Sequence, residues 1–267
     1  EMCSTKKNRL KLKLFSSWSY FDSGYPELKT LTERKSDLVP DGKYPTLWHT
    51  RNKFVLKLTL SDGKELVYKA PQRIKGVHKY LFRPGPYGME ALNFSRMLSL
   101  GLPMVKLVAA GEERCCFVLK SGFLVTEFAS GYRDGRDFIP GGIKEDEKNI
   151  VDEFICRNFA YLAGMHASKM IHRGFTPANL LYRLRNEPDA AGNMLDILWI
   201  DVASCKKPFA GIGLRRGIAR DIALFFHFFD FSREEKLRYL DAYCSNDPAG
   251  RFTPETLLEL VEKNPVR

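Results

Sequence analysis

The rhythm of apolar and polar residues changes about halfway along the chain. In the first half the clearest signal is alternation: "KFVLKLTL" and "ELVYKAP" place apolar residues at every second position and meet around Asp62-Gly63, a tight-turn dipeptide. This predicts a β-hairpin with Lys69 at the end of its second strand. "GMEALNFSRMLSLGLP" shifts to helical spacing, with Met89, Leu92, Met97 and Leu98 near one face, Glu90 in the first turn, and Gly101 and Pro103 as the stop. "MVKLVAAGEE" and "RCCFVLKSGFLVTEF" return to strand character. The glycine-containing "ASGYRDGRDFIPGG" has no period and marks a boundary.

Beyond it the pattern turns helical. "KNIVDEFICRNFAYLAGMHASKM" is long and periodic, "LDILWIDVA" reads as a short buried strand, and "RDIALFFHFFDFSREEKLRYLDAYCS" as one or two helices. A strand-rich half followed by a helix-rich half is an α+β arrangement of two lobes sharing a cleft. The expected division is an N-terminal lobe over residues 1–128 (a basic segment, a β-sheet and one helix) and a helical C-terminal lobe over 129–267. Within the basic segment, "KKNRLKLKLF" alternates Lys or Arg with Leu, which fits an edge strand or a basic surface stretch.

Composition narrows the class. With 267 residues, 44% of them hydrophobic, the chain can fill a sizeable core. A net charge of +10, from 42 Lys and Arg against 32 Asp and Glu, points to an anionic partner: nucleotide, phosphorylated glycan, lipid headgroup or nucleic acid. The last is disfavoured, because no zinc spacing, recognition-helix signature or aromatic-basic RNA motif accompanies the charge. Six scattered cysteines (Cys3, Cys115, Cys116, Cys156, Cys205 and Cys244) show neither a metal spacing nor a disulfide framework, as expected for reduced thiols in the cytosol. No apolar run approaches the roughly 18 residues of a membrane span, and the opening residues lack a signal-peptide core. The expected location is cytoplasmic, with peripheral contact at the inner face of the membrane.

Candidate chemistry lies in the order of four residues. Lys69 ends a strand, Glu90 opens the next helix, Asn179 follows a His-Arg loop in "KMIHRGFTPANLLY", and Asp201 ends a short apolar strand. Phosphoryl transfer from ATP needs charge around the phosphates, metal ligands and a group orienting the attacking hydroxyl, and kinases present Lys, Glu, loop Asn and metal-binding Asp in this order. Together with "LVYKAP", "EALNFSRMLSLGLPMVKLVAAGEE", "FLVTEF", "MHASKMIHRGFTPANLLY", "ILWIDVAS" and "ARDIALFFHFF", the set resembles the lipopolysaccharide core kinases, bacterial Kdo and heptose kinases with a protein-kinase-like fold. The similarity spans residues 55 to 245.

The resemblance implies ATP and Mg²⁺ as cofactors and a sugar hydroxyl of an anionic glycolipid, a lipopolysaccharide core, as acceptor. Lys69 would grip the nucleotide phosphates and Glu90 would pair with it, although a helix first turn favours Glu for its own reasons. Asn179 and Asp201 would hold Mg²⁺. Thr126, Glu127 and Phe128 would form the hinge that meets the adenine. His172 and Arg173 would be scaffold, and Asp221 would anchor the catalytic loop or simply serve as a charge at a helix N-terminus.

Two departures stand out. No glycine occurs in "YPTLWHTRNKF", where a phosphate loop is expected, which leaves Arg51 and Lys53 as substitutes. The catalytic Asp of the loop is Gly174. Asp134 and Asp137 are candidates for a relocated base. The expected function is an ATP-dependent phosphotransferase, weakened or inactive at Gly174, with a nucleotide-binding pseudokinase or scaffold as the alternative.

Overall fold

The computed structural model describes residues 16–33, 37–40, 42–74, 76–139 and 148–265. The "KKNRLKLKLF" segment therefore lies outside the described residues. Two compact units emerge, Glu1–Ser95 with Val105–Ser130, and Arg96–Met104 with Gly131–Arg267. Arg96–Met104 groups with the second unit because Met104 bridges Trp199 and the Trp199 N–H donates to the Pro103 carbonyl.

In the first unit, β1 (Trp18–Phe21), β2 (Thr46–His49), β3 (Lys53–Thr59), β4 (Glu65–Pro71), β5 (Leu107–Cys115) and β6 (Val118–Glu127) form one antiparallel sheet in the order β1-β5-β6-β4-β3-β2. The predicted hairpin is present, with Gly63 at φ 83° in its turn. Period-2 alternation assigns the faces. Phe54, Leu56, Leu58, Leu66, Tyr68 and Ala70 bury themselves against Tyr25 and Leu28, the latter on α1 (Glu27–Glu33), while Lys53, Val55, Lys57, Val67 and Lys69 occupy the half-buried opposite face. The β5–β6 turn is made by Cys116 and Phe117, both left-handed as a two-residue hairpin turn demands.

The helix carrying Glu90 is α2, Pro86–Ser99. It begins two residues earlier than the sequence indicates, because Pro86 takes the first helical position, where its missing N–H costs nothing. Glu90 accordingly stands beyond the first turn, and helix-terminal charge preference no longer accounts for it.

The second unit is mainly helical: α3 (Lys148–Ala167), α4 (Leu214–Phe226), α5 (Arg233–Ser245) and α6 (Pro254–Glu262), with a small sheet of β7 (Arg133–Asp134), β8 (Leu180–Leu184) and β9 (Leu195–Trp199). The "RDIALFF…" stretch is thus two helices, separated by the capping box of Ser232 and Glu235. α3 buries Val151, Phe154, Ile155, Asn158, Phe159, Leu162 and His166, a helical stripe. Phe159, Phe175, Phe225 and Trp199 pack as an aromatic core beneath the loop that follows α3. No helix among the described residues is long and apolar enough to cross a membrane.

Candidate active site

The first unit brings Lys69 and Glu90 together. The β3–β4–β6 register places Lys69 between Val55 and Leu124, its side chain on the half-buried face. Lys69 Nζ lies 2.9 Å from Glu90 Oε1, with the two side chains only 16% and 4% exposed. Desolvation makes this pair more than a surface contact, since screening by water is largely removed.

Glu90 is positioned by α2, and α2 is gripped at its start. Glu112 Oε1 accepts from the Gly88 N–H at 3.1 Å, taking up one of the helix's orphan donors. Its other oxygen accepts from Arg114 Nη2 at 2.7 Å and from Trp18 Nε1 at 3.3 Å, and both charged side chains are essentially inaccessible. Arg114 spends its remaining donors on the carbonyls of Tyr80, Phe117 and Arg83. A buried ion pair survives when every lone pair and proton is satisfied in this way. The approach requires Gly85 and Gly88: a Cβ at Gly85 would lie 2.8 Å from Glu112 Oε1, and one at Gly88 would collide with the same atom.

The segment expected to hold a phosphate loop is the β2–β3 turn. Thr50 closes it through its own backbone and side chain, and the Asn52 carbonyl accepts from both Gln72 and Arg73. Lys53 stacks over the Trp48 ring at 4.8 Å. At the expected hinge Thr126 is buried, and the N–H groups of Glu127 and Phe128 donate to the Lys106 and Glu65 carbonyls. Neither N–H is on offer to an adenine.

In the second unit the β8–β9 register pairs Leu180 with Trp199, and the Ile200 N–H donates to the Asn179 carbonyl at 3.0 Å. Asn179 thus immediately precedes β8, beside the point where β9 runs out towards Asp201. Asn179 Nδ2 donates to the Gly174 carbonyl at 2.9 Å, a bond that engages the amide nitrogen and not the amide oxygen. Asp201 is held at φ 55°, a left-handed conformation that Asp tolerates better than most residues. One carboxylate and one amide oxygen fit Mg²⁺, which uses few protein ligands and takes phosphate oxygens and water for the rest. Among the described residues no cluster of three His, Cys, Asp or Glu offers a closed metal cage.

The loop before Asn179 is held from below. Asp221 accepts from the backbone N–H groups of His172 and Arg173, at 2.6 Å each, and Arg173 sits at φ 64°. His166 bridges Asp221 (3.2 Å) and the Tyr243 hydroxyl (3.0 Å). Burial lowers the pKa of His166 and of His172, against the opposing charge of Asp221 in both cases. The His172 ring nitrogens find no hydrogen-bond partner among the described residues; the ring packs edge-on to Phe175 and Trp199 as a neutral aromatic.

Gly174 itself has no positive φ, so the backbone does not require glycine. A Cβ there would lie 3.7 Å from His172 Nδ1 and 3.8 Å from Asn179 Nδ2, ordinary contact distances. The two alternative acids are occupied. Asp134 caps the turn at Gly135–Phe138 and is bound by Arg136, whose hydrogen bonds hold its carboxyl below the usual range; Asp137 is bound by Arg133 and the Tyr182 hydroxyl.

Sequence reasoning missed Glu112, Arg114 and His166. The signal for the first two was available: Glu112 and Arg114, at i and i+2 in "LVAAGEERC", must share one face of a strand, with Glu113 on the other. His166 gave no such sign.

No family model and no curated protein matches the chain. Among solved structures it is similar to WaaP in complex with acyl carrier protein. That alignment has 18% identity and a TM-score of 0.62, covering 92% of this chain and 97% of that one. The chain has the two-lobed, α+β protein-kinase-like fold. The Rio2 kinase–ADP/Mg²⁺–phosphoaspartate complex from Chaetomium thermophilum also aligns, at 18% identity over 90% of this chain and 71% of that one, but with a TM-score of 0.47 it adds nothing to the fold assignment.

Proposed function

We propose that the protein is an ATP-dependent phosphotransferase of the lipopolysaccharide core kinase type, acting on a sugar hydroxyl of an anionic glycolipid. The observation that carries this reading is the desolvated Lys69–Glu90 ion pair, which has a specific use in phosphoryl transfer. Glu90 orients the Lys69 ammonium towards nucleotide phosphates. Asn179 and Asp201 hold Mg²⁺, which when bound neutralises charge on the phosphates. Asp221 fixes the backbone on which the acceptor hydroxyl is presented. Arg73, Lys79 and Arg83, all exposed, supply cationic contact for the anionic acceptor.

With Gly174 in place of a base, turnover rests on positioning and electrostatics, which provide most of the acceleration in a loose transition state. Thermal-shift titration tests the reading: ATP with Mg²⁺ stabilises the wild type, and Asp201→Ala loses the Mg²⁺-dependent part. No stabilisation by ATP and Mg²⁺ would sink it.

The pseudokinase reading is favoured by one specific fact, the engagement of Asp134 and Asp137 in their own ion pairs. It predicts nucleotide binding without transfer to core oligosaccharide, and transfer appearing only in Gly174→Asp.

A further inference from the structure

The segment between Cys205 and α4 carries two of the most exposed large apolar side chains in the protein. Phe209 is 88% and Ile212 77% accessible, on a short 3₁₀ turn at Phe209–Gly211. Around them, residues 202–220 read "VASCKKPFAGIGLRRGIAR", with Lys206, Lys207, Arg215, Arg216 and Arg220 and no acidic residue. All five cations are exposed, and none forms an ion pair among the described residues. Arg215 stacks over the Phe252 ring at 5.0 Å, and isolated exposed apolar residues need no explanation, but a protruding apolar tip flanked on both sides by cations with no carboxylate partner does.

Both ends of the segment are fixed to one residue. Lys206 and Ile171 exchange backbone hydrogen bonds at 2.9 and 3.0 Å, and α4 packs so closely on Ile171 that a Cβ at Gly217 would lie 2.7 Å from it. Ile171 directly precedes His172, Arg173 and Gly174. The tip is therefore rigidly tied to the loop that would receive the acceptor.

We propose that residues 206–216 form a docking surface for an anionic lipid bilayer, with Phe209 and Ile212 entering the headgroup region and the flanking Lys and Arg binding lipid phosphates. The charge complementarity and the protruding rather than concave shape favour a bilayer over a protein partner, whose hot spots seat apolar side chains in pockets. The surface rests on the glycolipid-acceptor reading only for its purpose, since it brings the loop to the membrane where such an acceptor is embedded.

Vesicle co-sedimentation without nucleotide tests it, so its failure leaves the phosphotransfer reading untouched and the reverse also holds. Wild type is expected to sediment with phosphatidylglycerol–phosphatidylethanolamine vesicles and not with phosphatidylcholine alone, and to be released by salt. The double variant Phe209→Ser/Ile212→Ser should bind about tenfold more weakly or worse. Lys207→Gln and Arg216→Gln should each cost about fivefold. Thermal unfolding of all variants should match wild type because the side chains are exposed. The proposal is overturned by absent sedimentation, by equal binding to phosphatidylcholine, or by a double variant that binds vesicles as wild type does. Binding to polyglutamate as tight as to vesicles, unaffected by the double variant, would likewise overturn it and mark the patch as a plain acidic-protein surface.

Discussion

Each unit braces its candidate site residues with buried charge, by different means. In the first unit the brace is an ion pair: Glu112 and Arg114 neutralise each other and tie α2, with Glu90 on it, to β1, β5 and the β5–β6 turn. In the second it is a single carboxylate, Asp221, held by two backbone N–H groups and a neutral histidine. The first is sensitive to losing a partner; the second to protonation. The position each supports also differs, since the Lys69–Glu90 pair is complete whereas the braced loop presents Gly174.

The largest expected effect breaks the first brace. Glu112→Ala leaves Arg114 buried without its counter-charge and should cost about 3–5 kcal/mol of stability in urea denaturation. A loss below about 1 kcal/mol, the range of exposed pairs, would show that the pair is not the brace described. Next, Asp221→Asn keeps the shape but confronts one of the two N–H donors with another donor, and should cost about 1–3 kcal/mol. It should also reduce ATP-dependent stabilisation, whereas a core truncation of equal cost, such as Leu58→Ala in the first unit, should not.

pH separates the two braces more finely. His166 and His172 stay neutral when folded, because burial holds their pKa below the ordinary 6.5, and take up protons when unfolded. Stability is therefore complete above about pH 6.5 and falls as pH drops through 6.5 towards the lowered folded-state values, by up to about 1.4 kcal/mol per pH unit for each histidine. His166→Gln should flatten the slope by one such contribution in denaturation curves taken between pH 7.5 and 5.5, a range chosen about the ordinary value. An unchanged slope would contradict the account. The smallest effect is expected at the solvent-screened Lys64–Asp62 pair: Lys64→Ala should leave the denaturation midpoint unchanged within error.

The periodic elements were legible in the sequence because each buries one face. The Asp62-Gly63 hairpin, α3 and the buried strand at β9 follow from alternation or helical spacing alone. β2 was not, since Leu47 and Trp48 stay exposed and leave no alternation to read. α1 is only 7 residues long, too short for a periodic signal. The start of α2 was hidden by "RPGPYG", where Pro86 opens a helix inside what reads as a turn. At the site, the order Lys69, Glu90, Asn179, Asp201 could be read along the chain, and the resemblance implied Asp221 as the anchor of the loop, but the backbone groups that each brace grips could not be read. Glu112 meets Gly88, and Asp221 meets His172, across long sequence separations that no local pattern records.

The central proposal is a phosphotransferase that would use Lys69, Glu90, Asn179 and Asp201 for Mg²⁺–nucleotide and that lacks an acceptor-orienting side chain at Gly174. The direct measurement is the rate of phosphate transfer from ATP to core oligosaccharide by wild type, Gly174→Asp and Asp201→Ala. The account predicts that Gly174→Asp, whose Cβ would meet its neighbours at ordinary contact distances, is faster than wild type by about 10² to 10⁴, and that Asp201→Ala transfers none. Transfer by Asp201→Ala at the wild-type rate, with no gain in Gly174→Asp, would contradict it.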